Sequence, residues 1–264
     1  MTQEGFAPGD WVLLRDHKGR ELLVQAGGEG ICNTHRGEVR LAALVGLGSG
    51  SVVETASGGR LEAHVPSQRE FILHMPRGAQ IIYPKDLAAI LAELSLTPGD
   101  SVLEAGIGSG ALTIALLRAG ALVTSYEVRE DFARRAAKNI EAFVPPELAR
   151  GHRLVVADVA EAEADLQFDR LALDMLAPWE VLPALGTRLT HGGRAVIYVT
   201  NIVQVQSTVG VLPQSGLLLE RVIEILEREW VVEGEVVRPR QQMVGHTGFL
   251  VVARQRRRAG HVSG

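Results

Sequence analysis

The chain contains one cysteine, Cys32, among its 264 residues. A lone thiol forms no intrachain disulfide and leaves no thiolate cluster for zinc or an iron–sulfur centre, so no metal is expected. Lysine is nearly as scarce: Lys18, Lys85 and Lys138 are the only three, and arginine carries the rest of the basic charge. With 27 basic against 31 acidic residues the net charge is −4. That balance argues against indiscriminate binding to nucleic acid, whose affinity is dominated by phosphate contacts, and leaves room for a local basic patch. The terminal R-Q-R-R-R run, Arg254 to Arg258, reads as a solvated end within reach of such a backbone. No apolar run approaches the roughly 18–20 residues that cross a bilayer. The start M-T-Q-E-G-F-A-P-G-D-W is acidic where a leader would be basic, so the expected location is cytoplasmic, with no membrane partner.

What is present suits a globular protein of one large or two unequal domains, with 46% hydrophobic and 22% charged residues. Residues 1–66 have the rhythm of a small β-domain. W-V-L-L-R, the turn D-H-K-G, E-L-L-V-Q and then G-S-V-V-E-T-A-S-G-G-R-L-E-A-H-V follow one another, with Ser57-Gly58-Gly59 as a hairpin loop. His17, Lys18, Arg20, His35 and Arg36 read as ordinary surface residues of its loops.

From residue 67 to 264 the pattern changes. S-Q-R-E-F-I-L-H-M predicts a short connecting helix, and Leu87, Ile90, Leu91 and Leu94 fall at helical spacing after Pro84, which pre-sets a first turn. S-V-L-E-A-G, L-V-T-S-Y-E-V, H-R-L-V-V-A-D-V, F-D-R-L-A-L-D-M-L and R-A-V-I-Y-V-T then read as five strands alternating with helical segments. That alternation predicts an α/β fold, a doubly wound, mostly parallel sheet covered on both faces. Gly120 marks a helix C-terminus, Asn201 with Gln204 resembles a capping box, and Pro183 predicts a kink or an early break. The last third reads as two longer strands forming an antiparallel pair that extends the sheet.

In such a sheet the ligand lies beyond the C-terminal ends of the strands. Gly106, Gly108 and Ala111 satisfy the G-x-G-x-x-G/A spacing, with Ser109 and Gly110 inside the same loop. Glu104 sits just before the loop, where it would repel a pyrophosphate and attract a cation. Four successive strands end in an acid: Glu104, Glu127, Asp158 and Asp174. Glu127 lies about twenty residues beyond the first glycine, where an acid accepts the hydroxyls of a ribose. Asp158 suits the exocyclic amine of an adenine, and Glu104 suits an ammonium or an ordered water. Together they describe adenosine bearing a cationic amino-acid arm, S-adenosylmethionine. A nicotinamide dinucleotide shares the glycine spacing and is the alternative.

The E-x-G-x-G-x-G loop, the second-strand acid and the third-strand A-D-V resemble class I methyltransferases. R-G-A-Q-I-I-Y-P-K-D, A-L-D-M-L-A-P-W-E-V-L, Y-V-T-N-I-V-Q-V and Q-M-V-G-H-T-G-F-L narrow the resemblance, over essentially the whole chain, to tRNA (adenine-N1)-methyltransferases acting on the T-loop adenosine at tRNA position 58. The resemblance implies a Rossmann-like fold with a seven-stranded sheet, a tRNA substrate and a homotetramer. It also implies a catalytic role for Asp174, a place near the methionyl end of the cofactor for Gln80, and an acceptor pocket closed by His246 and Thr247. Tyr83 and Tyr198 are candidates to pack against or hydrogen-bond an extruded adenine. Ala177 stands where some relatives carry an acid, and Met175 and Leu176 read as apolar packing. The same glycine loop occurs in protein isoaspartyl methyltransferases, and a non-catalytic RNA-binding subunit is the third possibility.

Overall fold

The computed structural model describes residues 5–78 and 80–256, so Arg257 and Arg258 of the basic tail lie outside the described residues. The chain divides into two compact units, Met1–Pro76 and Arg77–Gly264.

In the first unit, β1 (Trp11–Arg15) and β2 (Glu21–Gln25) pair antiparallel through the D-H-K-G turn. Asp16 builds that turn by accepting from the backbone N–H groups of Lys18 and Arg20. A two-stranded hairpin, β3 (Ile31–Thr34) with β4 (Gly37–Arg40), stands beside the strands expected from the sequence. β5 (Ser51–Glu54) and β6 (Arg60–His64) flank the S-G-G loop and complete a sheet of order β2-β1-β6-β5. Val12, Leu14, Val24, Val39, Leu44 and Leu61 form its core. α1 (Gln68–His74) opens on a capping box, in which the Ser67 hydroxyl accepts from the Glu70 N–H and the Glu70 carboxylate accepts from the Ser67 N–H.

The second unit begins with α2 (Pro84–Leu94), whose Leu87, Ile90 and Leu94 are buried. Then come β7 (Ser101–Ala105), α3 (Ala111–Arg118), β8 (Leu122–Tyr126), α4 (Glu130–Phe143), α5 (Pro146–Ala149), β9 (His152–Val155), β10 (Phe168–Asp174), α6 (Pro178–Leu185), β11 (Leu189–Val199) and α7 (Ile202–Val211). β12 (Leu217–Glu224), β13 (Trp230–Glu233), β14 (Val236–Pro239) and β15 (Phe249–Gln255) end it. Seven strands form one sheet of order β12-β15-β11-β10-β7-β8-β9. β11 through β9 are parallel, and β15 and β12 run antiparallel at one edge. Leu103, Leu171, Leu173, Ile197 and Val251 contribute buried side chains to the core.

Two local expectations change. The last third is four strands: β12 and β15 extend the sheet, and β13 and β14 fold back on each other as a hairpin. Gly234, at φ 59°, supplies the turn, and V-V-E-G-E-V-V reads equally well as one long strand until that glycine reverses it. β9 stops at Val155, so Asp158 lies beyond the strand and caps a single 3₁₀ turn by accepting from the Ala160 N–H. Pro183 sits inside α6, which ends two residues later at Leu185.

Candidate active site

The chain order reverses between β7 and β10: β8 and β9 lie on one side of β7, β10 and β11 on the other. A crevice opens at that point beyond the strand ends. It is a cleft of about 470 Å³ lined by Gly106, Glu127, Arg129, Asp158, Asp174, Met175, Leu176, Ala177 and Glu180 among others. That volume falls in the range of small-molecule sites, about 300–1,000 Å³. A much smaller space, lined by Gln80, Ile81, Ile82, Gly108, Ser109 and Ala111, shares Gly106 and Asp174 with it. Three of the four acids therefore face one cleft. The fourth, Glu104, lies behind it.

Glu104 is fully buried in β7. Its Oε2 accepts from Ser125 Oγ at 2.5 Å and Thr113 Oγ1 at 2.7 Å, while Oε1 is buried without a hydrogen-bond partner. Burial pushes its carboxyl up to about 7 against these two stabilising bonds. His152 on β9 lies 3.0 Å from Ser125 Oγ, and burial lowers its imidazole to about 4. The ring is thus neutral and donates to the serine, which donates in turn to Glu104.

Gly106 and Asp174 meet directly. A Cβ at residue 106 would collide with the carbonyl oxygen of Asp174, and the backbone there holds φ at 87°. Gly110 packs against Ala136 of α4. Of the three, only Gly108 leaves its Cβ direction clear of other chain segments; Gly106 and Gly110 meet neighbouring chain. Burial and the charges of Glu104 and Glu127 push the Asp174 carboxyl up to about 7.

Glu127 is nearly fully buried. Its Oε1 accepts from the Arg129 backbone N–H and Nε, both at 3.0 Å, and its Oε2 receives the Gly108 N–H at 3.3 Å. The Arg129 guanidinium lies 3.6 Å from the Phe132 ring centroid, which fixes its plane. Asn139 on α4 donates to the Ser109 carbonyl at 2.9 Å and holds the loop from beneath. Ser109 Oγ is a second buried atom without a partner. Two orphaned polar atoms beside the loop, with acids on the open side, fit the amino-acid arm and ribose of S-adenosylmethionine. Leu176 is 83% exposed where it lines the cleft, in place of the packing expected for it; Met175 lines the same cleft and packs against the core as expected.

The wall on the other side of Asp174, outside the residues that line the cleft, is built differently. Tyr83 is the N-cap residue of α2. Tyr198, at the end of β11, pairs in register with Asp174, and its phenol donates to the Thr247 carbonyl at 2.8 Å. Its ring lies against Gly248, where any Cβ would strike it. Burial, then the charges of Asp86 and Asp174, push that phenol well above its ordinary value. His246 places Nδ1 2.6 Å from Glu224 and Nε2 2.7 Å from the Thr200 carbonyl. Both partners are acceptors, and these contacts raise the pKa of the ring, chiefly through Glu224. Neither nitrogen is left to take a proton from a substrate. Lys85 and Asp86 join the same wall through Thr247. Sequence reasoning singled out neither of them, nor Arg129 and Asn139. The available signals were a K-D pair beside a helix-opening proline in a chain with three lysines, and an arginine two residues after the ribose acid.

An acid-rimmed cleft at the switch point of this seven-stranded order defines a class I S-adenosylmethionine-dependent methyltransferase. The chain belongs to the tRNA (adenine58-N1)-methyltransferase family: the family model described as "tRNA methyltransferase complex GCD14 subunit" matches residues 66–235, and "TrmI-like N-terminal" matches residues 5–53. The chain is 42% identical over 249 residues to the tRNA (adenine(58)-N(1))-methyltransferase of Thermus thermophilus, covering 92% of this chain and 96% of that one. The crystal structure of the tRNA (m1A58) methyltransferase of Aquifex aeolicus superposes with a TM-score of 0.83 at 29% identity, covering 96% and 100% of the two chains. That of a SAM-dependent O-methyltransferase from Thermotoga maritima superposes with a TM-score of 0.90 at 31% identity, covering 97% of each. Among the described residues no helix is long and apolar enough to cross a membrane.

Proposed function

We propose that this chain transfers the methyl group of S-adenosylmethionine to N1 of the T-loop adenosine at position 58 of tRNA. The observation that carries this conclusion is Asp174, which ends β10 on the wall of a cleft shared with Glu127 and Asp158, in a chain of this family. S-adenosylmethionine supplies an electrophilic methyl on a positively charged sulfur. Glu127 would hold its ribose hydroxyls, Asp158 its adenine amine, and Gln80, Glu104, Ser109 and the backbone of Gly106, Gly108, Gly110 and Ala111 its amino-acid end.

Adenine N1 is unprotonated at neutral pH, so the nucleophile needs alignment and electron density more than a base. The Asp174 carboxylate accepts a hydrogen bond from the 6-amino group of the acceptor, which pushes density toward N1. As the N1–carbon bond forms and the carbon–sulfur bond breaks, positive charge moves onto the ring and the carboxylate stabilises it. A positive charge beside Asp174 favours its ionised form, which is the form this role needs. Tyr83 and the turn around Thr247 bound the space for the extruded base, and the His246 ring, bonded to Glu224 and the Thr200 carbonyl, holds that turn in place.

A homotetramer is the proposed assembly, in the cytoplasm where the substrate is processed. Its support is apolar surface: Trp230, Val232, Val236 and Val237 on the β13–β14 hairpin are each more than half exposed, and β12 is an unpaired sheet edge. Sedimentation analysis tests it.

Nucleoside mass analysis of unmodified tRNA, incubated with protein and methyl donor, tests the activity; donor binding without 1-methyladenosine defeats the proposal. The name of the Thermotoga maritima protein favours one other acceptor, an oxygen. Methyl incorporation into tRNA and into aged peptide bearing isoaspartate, measured side by side, separates the two.

A further inference from the structure

Lys85, Asp86 and Thr247 form a polar cluster, and the roles above use neither its ion pair nor the Thr247 hydroxyl. Lys85 Nζ donates to Asp86 Oδ1 and the Ile225 carbonyl at 2.7 Å each, and to Thr247 Oγ1 at 2.6 Å. Thr247 Oγ1 donates to Asp86 Oδ2 at 2.7 Å. The Lys85 and Asp86 side chains are 8% and 1% exposed. All three ammonium hydrogens and both carboxylate oxygens therefore have partners.

The cluster joins three chain segments: the first turn of α2, the residue following β12, and the G-H-T-G-F turn that leads into β15. Tyr83 stands two positions before Lys85, and Tyr198 grips the carbonyl of the same Thr247 whose hydroxyl the cluster holds. Asp174 is the register partner of Tyr198 on the next strand. A continuous set of bonds thus runs from the strand that presents Asp174, through Tyr198 and Thr247, to the helix end that carries Tyr83.

A buried ion pair is a poor source of stability, because desolvation offsets its attraction; a fully satisfied one fixes a single arrangement of the parts it joins. We infer that Lys85, Asp86 and Thr247 act as a clamp that sets the spacing between the Tyr83 end of α2 and the G-H-T-G-F turn, and thereby the fit of the acceptor base against Asp174. Thr247 is a positioning residue, linked to the base only through these neighbours. The inference rests on the function proposed above.

Thr247→Val tests it, because valine keeps the branched shape, loses the hydroxyl and leaves Lys85 bonded to Asp86. Loss of two charge-assisted hydrogen bonds, one from Lys85 and one to Asp86, predicts that KM for tRNA rises at least about tenfold, with donor affinity by calorimetry unchanged. Thr247→Ser restores the hydroxyl and brings KM back toward wild type. A smaller folded fraction would lower kcat and leave KM alone, so the KM rise and the serine rescue separate positioning from stability. If the valine variant does not fold, Thr247→Ala gives the same comparison without the added methyl contact. Wild-type KM in the valine or alanine variant, or a serine variant no better than valine, overturns the clamp while the wild-type protein still methylates tRNA. A wild-type protein that methylates no tRNA overturns the function and the clamp's part in it together.

Discussion

The walls on the two sides of β10 handle their polar groups in opposite ways. On the glycine-loop side, Glu104 Oε1 and Ser109 Oγ are buried without partners, while Glu127 and Asp158 line the cleft. On the Tyr198 side, the amine of Lys85, both oxygens of Asp86, the hydroxyl of Thr247 and both nitrogens of His246 are bound within the protein. The first wall is unfinished and suits a ligand that completes it. The second is finished, and shapes a space without offering bonds to what enters it. Asp174 stands between them and faces the cleft.

Substitutions should separate the walls. Asp174→Ala removes the group that meets the developing charge and should lower turnover about 10²–10³-fold with donor binding retained, read by 1-methyladenosine formation beside calorimetry. Turnover at the wild-type rate would end its assignment. Glu127→Ala belongs to the unfinished wall. Hydrogen bonds to a charged group are worth about 1.5–3 kcal/mol, so donor affinity should fall about 10–100-fold, and saturating donor should recover most of kcat.

Acidity probes the residue between the walls. Asp174 has its carboxyl pushed up to about 7 in the donor-free protein, so kcat/KM should lose about tenfold for each pH unit below 7. The limb in kcat should lie at lower pH, since the bound cation favours the carboxylate. Coincident limbs would show that another group titrates.

The smallest effect is on stability. Glu104 has a folded pKa of about 7 against an ordinary 4.5. Between those values the folded protein holds a proton that the unfolded chain has released, so stability falls as pH rises through the window and stays lower above it. Glu104→Gln cannot ionise and should melt a few degrees above wild type at pH 8 and level with it at pH 4, by calorimetric scanning.

The unfinished wall is also the one the sequence exposed best. Its residues are close along the chain: Glu104 to Ala111 spans the end of one strand, the glycine loop and the start of a helix, and Glu127 directly follows the next strand. Glycines at fixed spacing and acids after apolar runs are local signals of backbone geometry and charge. The finished wall depends on pairs such as Lys85 with Thr247, separated by 162 positions, and no periodicity relates them. Asp158 was legible as an acid near the third strand. Its distance from the strand end was not, because V-V-A-D-V continues the apolar pattern past the last ladder bond at Val155. The β13–β14 hairpin stayed hidden for a similar reason: its two halves alternate like one strand.

The contact between Gly106 and the Asp174 main chain leaves no room for gradual change. One methyl group added at 106 would push the glycine loop and Asp174 apart in a single step. Binding and turnover would be lost together instead of traded against each other, so that position behaves as a switch between an enzyme and an inert fold, with nothing to tune in between.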